Sequence, residues 1–409
     1  MRSIANYIKK YFLILLVLIS ACTLLKKSNK ETALSSGKQE VVIKKDSAIT
    51  KIVHLKKDSF VTVTITAVGD LMCHSPQYNN AKTADGGYDF NPSFAEVKKY
   101  LSAADLTIGN FETTCAGQEK GYNGFPNFNC PDDYVEAIHN AGFDFLGTAN
   151  NHSMDTEEPG LLRTIQVIDR NRIHHTGTFS SQHDRDSVRI LNLKGIKTGF
   201  LNYAYGTNKL LPSAEHKFML NIIDTVQIKS DIALARKGGA EIVIVFFHYG
   251  QEYISEPVES QRFIVQKTIE YGADIILGSH PHVLGAVEFY KTKGAKLDSG
   301  LVAWSLGNFI SNQNKRYTDA GVMLNISLTK NFLNDSVSVS SVSFIPTWVY
   351  RGTNDKKKMH IVFPAEYCLK DSLPEYIEDS LKKKMREAFE DTKEIMTKKS
   401  PKVKAQHIQ

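Results

Sequence analysis

From Glu241 to Phe247 the sequence is a nearly unbroken run of Val, Ile and Phe. A strand that is apolar on both faces must be covered on both, and in α/β proteins helices do the covering. Helical patterns flank this run, Asp224 to Lys237 before it and Glu259 to Tyr271 after it. The alternation recurs along the chain. Phe60–Val68, Leu106–Asn110, Phe143–Ala149 and Asp274–Leu277 read as strands, and Pro131–Asn140 and Glu157–Arg170 as helices. Asn91-Pro92 marks the start of a helix running to about Ala103. Arg189–Tyr203 reads as a hairpin turning at Lys194-Gly195. Later segments are strand-like: Ala286–Tyr290, Leu301–Ser305, Gly321–Leu328 and Ser336–Tyr350. That β-rich part calls for mixed sheets, not one doubly wound parallel sheet. From Leu373 to about Lys398 an amphipathic helix carries the stripe Ile377, Leu381, Met385, Ala388 and Phe389, suited to packing on the domain surface.

Short polar motifs follow the strands, where α/β proteins build their sites. They are Gly69-Asp70 with His74 nearby, Asn110-Phe111-Glu112, Asn150-Asn151-His152 with Asp155, His248-Tyr249-Gly250-Gln251-Glu252, and Gly278-Ser279-His280-Pro281-His282. A carboxylate at the end of a buried strand is costly unless paired or metal-bound. Asn110 and Glu112, one residue apart, share a face of an extended chain. Taken singly, a histidine at a strand end is more often structural than a ligand. Carboxylates, an Asn-His pair and three further histidines, each after a separate strand, form a different kind of pattern. Mixed oxygen and imidazole ligands suit Mn, Fe or Zn, not a thiolate site, and two such ions can clamp both oxygens of a phosphoryl transfer. Glu252 either orients a ligating histidine or is a surface carboxylate. Gly307-Asn308 reads as a turn beside the site, Tyr203–Asn208 as a candidate pocket wall, and Arg262 and Lys315-Arg316 as solvated charge or an anion contact.

The N-terminus has its own logic. Arg2, Lys9 and Lys10 precede an apolar run, Tyr11–Ile19, too short to span a bilayer comfortably. Its end, Ile19-Ser20-Ala21-Cys22, resembles a bacterial lipobox. That resemblance implies cleavage after residue 21, lipid on Cys22, and an anchored protein on the exported side of a bacterial envelope membrane. Residues 22–59 are polar and Lys-rich and read as a flexible tether. Its charge either lies along anionic lipid or is simply solvated. Much of the net charge of +6 belongs to this tether and to the tail, and no nucleic-acid signature accompanies it. Export permits a disulfide. Cys115 and Cys130, flanking a Gly/Asn-rich loop, are the best candidate pair, with Cys73 and Cys368 also present and the connectivity open.

The ordered motifs resemble the calcineurin-like metallophosphoesterase superfamily, and within it the CapA family of poly-γ-glutamate capsule synthesis proteins. Ser305-Leu306-Gly307-Asn308-Phe309 belongs to the match, which covers about Thr62 to Ile310. The resemblance implies a four-layer α/β sandwich of two mixed sheets flanked by helices, over 60–350, with 351–409 as a C-terminal extension. It implies two divalent metals. Glu112 would bridge them, Asn151, His248 and His280 would complete one, and Asp70 and His282 the other. His152 would be the general acid, Asn151 would also touch phosphate, and metal-activated water would be the nucleophile. His74, Asn110, Asp155 and Glu252 are further ligands or residues that orient one. The superfamily's first motif has histidine two residues after the aspartate; here Met72 stands there, and His74 lies two residues beyond. The bridging residue is Glu where Asp is usual. The expected function is metal-dependent phosphoester hydrolysis in capsule or envelope polymer synthesis, beside other capsule synthesis proteins. The altered first motif favours an alternative, a non-enzymatic accessory that binds or exports an anionic polymer. Amide hydrolysis of that polymer is a third reading.

Overall fold

The computed structural model describes residues 40–41, 53–54 and 59–408, apart from 209–210, 294–296, 355–356 and 371–372. The chain forms two units, Met1–Ser59 and Phe60–Gln409. In the first, Glu40–Val41 pairs antiparallel with Val53–His54. The signal at 1–21, Cys22 and most of the 22–59 tether lie outside the described residues. Among the described residues, no helix is long and apolar enough to cross a membrane.

The strands of the second unit, in chain order, are β1 (Phe60–Leu71), β2 (Leu106–Phe111), β3 (Phe145–Gly147), β4 (His174–Thr176), β5 (Arg189–Leu193), β6 (Ile196–Ala204), β7 (Ile242–His248), β8 (Ile275–Ser279), β9 (Val287–Lys291), β10 (Ser299–Ala303), β11 (Asn308–Ile310), β12 (Ala320–Asn331), β13 (Ser336–Asn354), β14 (Lys357–Pro364) and β15 (Val403–Ala405). Its longer helices are α1 (Ser75–Ala81), α2 (Asp133–Ala141), α3 (Glu157–Arg170), α4 (Thr225–Lys237), α5 (Glu259–Glu270) and α6 (Asp379–Thr397).

One sheet runs β14-β13-β12-β1-β2-β3-β4, with β11 beside the end of β1 and β15 beside β13. Strands β1 to β4 are parallel, and β12 to β14 antiparallel. The other runs β9-β10-β8-β7-β6-β5, parallel inside and antiparallel at both edges. Both sheets are mixed, as the sequence implies.

Their inner faces pack on each other through Val63, Ile65, Phe145, Phe200, Ile244 and Leu277. Phe145 stacks on Phe200 at 4.5 Å between ring centroids. Side chains of this kind contribute roughly 1.5–3 kcal/mol each when fully buried. On the outer face of the first sheet lie Phe94, Leu101, Val135 and Ile138 from the covering helical segments. On the outer face of the second lie Ile228, Ile232 and Val265 from α4 and α5. The layers are therefore helix, sheet, sheet, helix.

Three features differ from the sequence reading. The helix expected from Asn91 to about Ala103 is two single turns, Asn91–Phe94 and Lys98–Leu101. Phe94, Val97 and Leu101 are still buried, so the helical spacing is satisfied without a continuous helix. The short strand β4 and the later β14 were not expected. Residues 351–409 are woven into the sheet through the end of β13, β14 and β15. There α6 buries Met385, Ala388 and Phe389 against Trp348, Tyr350 and Phe363.

Candidate metal centre

The parallel strands of both sheets end at one cleft. Asp70 at the end of β1 pairs with Asn110 of β2, and His248 at the end of β7 pairs with Ser279 of β8. The β1–β2 register slips between Ala67 and Asp70. Such a bulge re-aims a side chain, here Asp70. The segment 305–308 is clamped against both edges. Asp70 N–H donates to Gly307 O and Leu306 N–H to Gly278 O, each at 2.9 Å. This closeness demands glycine. A Cβ on Gly69 would stand 1.9 Å from Gly307 O, and one on Gly278 2.1 Å from Trp304 O. Gly278→Ala is expected to lower unfolding stability by about 2–3 kcal/mol, as overpacking does; an unchanged denaturation midpoint would contradict that contact.

Six of the residues singled out in the sequence converge. His248 Nε2 lies 2.6 Å from Asn151 Oδ1, 3.1 Å from His280 Nδ1 and 3.7 Å from Glu112 Oε1. His282 Nδ1 lies 3.0 Å from Asp70 Oδ2, and its Nε2 3.9 Å from Glu112 Oε1. Asp70, Glu112 and His248 are fully buried. Each of these three presents a ligand atom, all within 4.8 Å of one another. Asn110 lies behind them. Its amide nitrogen is 2.8 Å from Asp70 Oδ1 and 3.4 Å from Glu112 Oε2, so it ties the two carboxylates together.

The chemistry of this set fits a divalent cation. Glu112 Oε1 is buried and has no hydrogen-bond partner among the described residues. When His248 Nδ1–H donates to Ser279 Oγ at 3.1 Å, the Nε2 lone pair faces the acceptor oxygens of Asn151 and Glu112. Acceptors facing acceptors in a dry site need a cation between them. Burial, then His280, holds His248 well below its ordinary pKa. Burial, then His282, brings His280 to about 4. Both are neutral at neutral pH, the form that ligates.

Burial, and next the Asp70 charge, hold the Glu112 carboxyl well above its ordinary pKa. A raised carboxyl contributes stability that is complete below its unfolded-state pKa, about 4.3, and is lost as pH rises through the folded value. In chelator at pH 7, Glu112→Gln is therefore expected to melt above wild type. With saturating Mn the order should reverse, because wild type gains binding energy. Equal melting temperatures in chelator would contradict the burial argument.

His152 sits beside this set. Its Nδ1 is 2.7 Å from Asp155 Oδ2, which also accepts from Phe128 N–H at 2.7 Å. Its Nε2 is 3.3 Å from Asn208 Nδ2. Asp155 thus orients the ring, and Phe128 packs against it edge-on at 4.6 Å. His74 is not brought in with the ligands. It stands at the start of α1, its N–H donating to Gln77 Oε1 at 2.8 Å and its Nδ1 accepting from Asn312 N–H at 3.3 Å. Glu252 is exposed at the rim, and its charge reaches Glu112 and Tyr253. Arg316 is paired with Asp391 at 2.7 Å, and Arg262 lies over the Trp304 ring at 5.3 Å.

Sequence reasoning undervalued three residues. Asn308 belongs to β11, not to a turn, and its Oδ1 is 3.1 Å from His282 Nδ1. Tyr205 and Tyr253 are half exposed and flank the histidines, with rings 4.7 Å from His280 and 6.2 Å from His282. Neither tyrosine has a motif of its own, and only the fold brings them to the cleft.

Residues 64–313, more than half of the chain, match the family described as bacterial capsule synthesis protein PGA_cap. The capsule biosynthesis protein CapA of Bacillus anthracis is 27% identical over 296 residues, covering 71% of this chain and 69% of that protein. The PGA biosynthesis protein CapA of Bacillus subtilis (strain 168) is 28% identical over 267 residues, covering 64% and 67%. A solved structure that aligns with this chain is the putative 5'-nucleotidase from Staphylococcus aureus in complex with alpha-ketoglutarate. It is 14% identical, covers 81% of this chain and 58% of that one, and has a TM-score of 0.45.

Proposed function

Because the chain belongs to the bacterial capsule synthesis protein family PGA_cap, we propose that it is a metal-dependent phosphoester hydrolase of the bacterial cell envelope. It serves the synthesis of a capsule or envelope polymer such as poly-γ-glutamate, and is held to the membrane by lipid on Cys22. The observation that carries the catalytic reading is the buried Glu112 Oε1, without a hydrogen-bond partner among the described residues and facing the His248 and His282 imidazoles at 3.7 and 3.9 Å.

Asp70, Glu112, Asn151, His248, His280 and His282 would hold two divalent ions, of Mn, Fe or Zn. When bound, such ions supply Lewis acidity and a water activated near neutral pH. The chain's own groups do the rest. Asn110 fixes the carboxylates, and Ser279 Oγ stands where it can accept from His248 Nδ1–H, as partners behind a metal site do. Asp155 accepts from His152 Nδ1–H and so orients the ring, and the second proton of the imidazolium, on Nε2, would be the one given to the leaving oxygen. The Asn151 amide, its oxygen turned to His248, keeps N–H groups for a phosphate oxygen. Tyr205 and Tyr253 border the entrance and exclude water from part of it.

A second reading has its own support. Met72 stands where the superfamily's first motif has histidine, and His74 is bound to Gln77 and Asn312. Asp70 and His282 are bonded to each other. A site weakened on that side suits an anchored accessory that grips an anionic polymer through metal. The test is turnover of a phosphodiester with a poor leaving group by Mn-loaded protein. Turnover lost in His152→Ala supports hydrolysis. Polymer binding that needs metal but not His152, without turnover, supports the accessory.

A further inference from the structure

Three thiols of this chain meet in the core behind the metal centre. Cys73 and Cys115 each lie three residues beyond a carboxylate of the cleft, Asp70 and Glu112, and Cys130 closes the loop that starts at Cys115. All three are fully buried free thiols. Cys115 Sγ is 3.2 Å from Cys130 Sγ, and Cys73 packs in the same buried cluster.

We propose that Cys115 and Cys130 are a modification site, oxidised to a disulfide that ties the end of β2 to the loop backing His152, with Cys73 left as the unpaired third thiol. The two segments already run side by side. Cys130 N–H donates to Thr114 O at 2.8 Å, Thr114 Oγ1 donates to Phe128 O at 2.6 Å, and Ala116 N–H donates to Asn129 Oδ1 at 2.7 Å. The two sulfurs are thus held within 3.2 Å by segments already bonded to each other. Cys115 is the nearer partner by contact with the chain as well. Its own N–H donates to Thr164 Oγ1 at 2.8 Å and its carbonyl accepts from Arg163 at 2.6 Å, so α3 holds it in place beside Cys130.

The bridge matters to the cleft because Phe128 lies two residues before Cys130. It contacts His152 with its ring and Asp155 with its N–H. Fixing Cys130 to the segment that follows β2 and carries Glu112 fixes the backing of His152 relative to the proposed ligands.

The exchange chemistry is balanced. While the sulfurs are still accessible during folding, Cys130 as its thiolate is the attacking group. It attacks an external disulfide, RSSR, and releases one thiolate RS⁻. Cys115, deprotonated, attacks the Cys130 sulfur of the mixed disulfide and releases the second. Two cysteine protons end on the two RS⁻ groups, and the two electrons reduce RSSR to two RSH. Because the sulfurs are shielded once β1 and β2 are in place, the bridge forms during folding and resists reductant afterwards.

The test is disulfide mapping of the full chain, refolded in a mixture of reduced and oxidised glutathione and then alkylated in denaturant without reductant. The proposal expects a linked peptide pair containing Cys115 and Cys130, with Cys73 and Cys368 alkylated. It also expects the melting temperature to fall by roughly 5 °C after reduction in denaturant and refolding without oxidant, and no such fall in Cys115→Ala. Alkylation of both Cys115 and Cys130, or a bridge from Cys73 to Cys130, overturns it. The mapping does not depend on turnover, so it stands or falls apart from the hydrolase reading.

Discussion

His248→Ala is expected to empty the metal centre. Its Nε2 faces Asn151, His280 and Glu112 together, so its loss removes a proposed ligand and the point on which the others converge. Losing a residue that merely orients a ligand typically costs about 10–100-fold in metal affinity. Loss of this ligand should cost more than ~100-fold, with hydrolysis falling to background. The fold should persist, because the Val/Ile/Phe face of β7 that anchors the sheet is untouched. Elemental analysis after dialysis, with circular dichroism as the control for folding, reads the effect. Full metal content in the variant would mean that the ion, where bound, sits elsewhere.

The second large effect separates chemistry from binding. His152→Ala should lower kcat by ~10²–10⁴ while leaving metal content unchanged, since its ring contacts Asp155, Asn208 and Phe128. The loss should be largest for alkyl leaving groups, which need a proton, and small for 4-nitrophenolate, which leaves without one. Equal losses on both substrates would argue that His152 positions the substrate instead of supplying the proton. Asp155→Asn should show the same leaving-group dependence in weaker form, because the ring keeps a hydrogen-bond partner but loses the carboxylate that accepts from its Nδ1–H.

Much of the fold is legible in the sequence alone. The α3 helix matches Glu157–Arg170, and the Lys194-Gly195 turn has positive φ at both residues, 48° and 93°, as a tight two-residue hairpin requires. Asp224 caps α4 by accepting from Val226 N–H at 2.7 Å. These are local signals, and local chemistry decides them. The strands β4 and β14 are not legible, because a three-residue strand has no period and β14 mixes Lys, Met and His before its apolar end. In the site, the residues adjoining strand ends can be read as a set, but their pairing cannot. Nothing in the spacing shows that Asp70 bonds His282 across 212 positions. Nor does it show that His74 turns to Gln77, that Asn308 continues the sheet, or that Tyr205 stands over His280. Those are consequences of two sheets packed face to face with their parallel strands ending at one cleft, a long-range fact that motif spacing does not carry.

The most direct test of metal-dependent hydrolysis is turnover of a phosphodiester by the full chain, stripped with chelator and then titrated with Mn while bound metal is counted. The expected result is no turnover in the stripped protein and recovery as up to about two ions bind, with neither metal nor turnover regained by His248→Ala. A well-folded wild-type chain that binds no divalent metal and hydrolyses nothing at saturating Mn would contradict it.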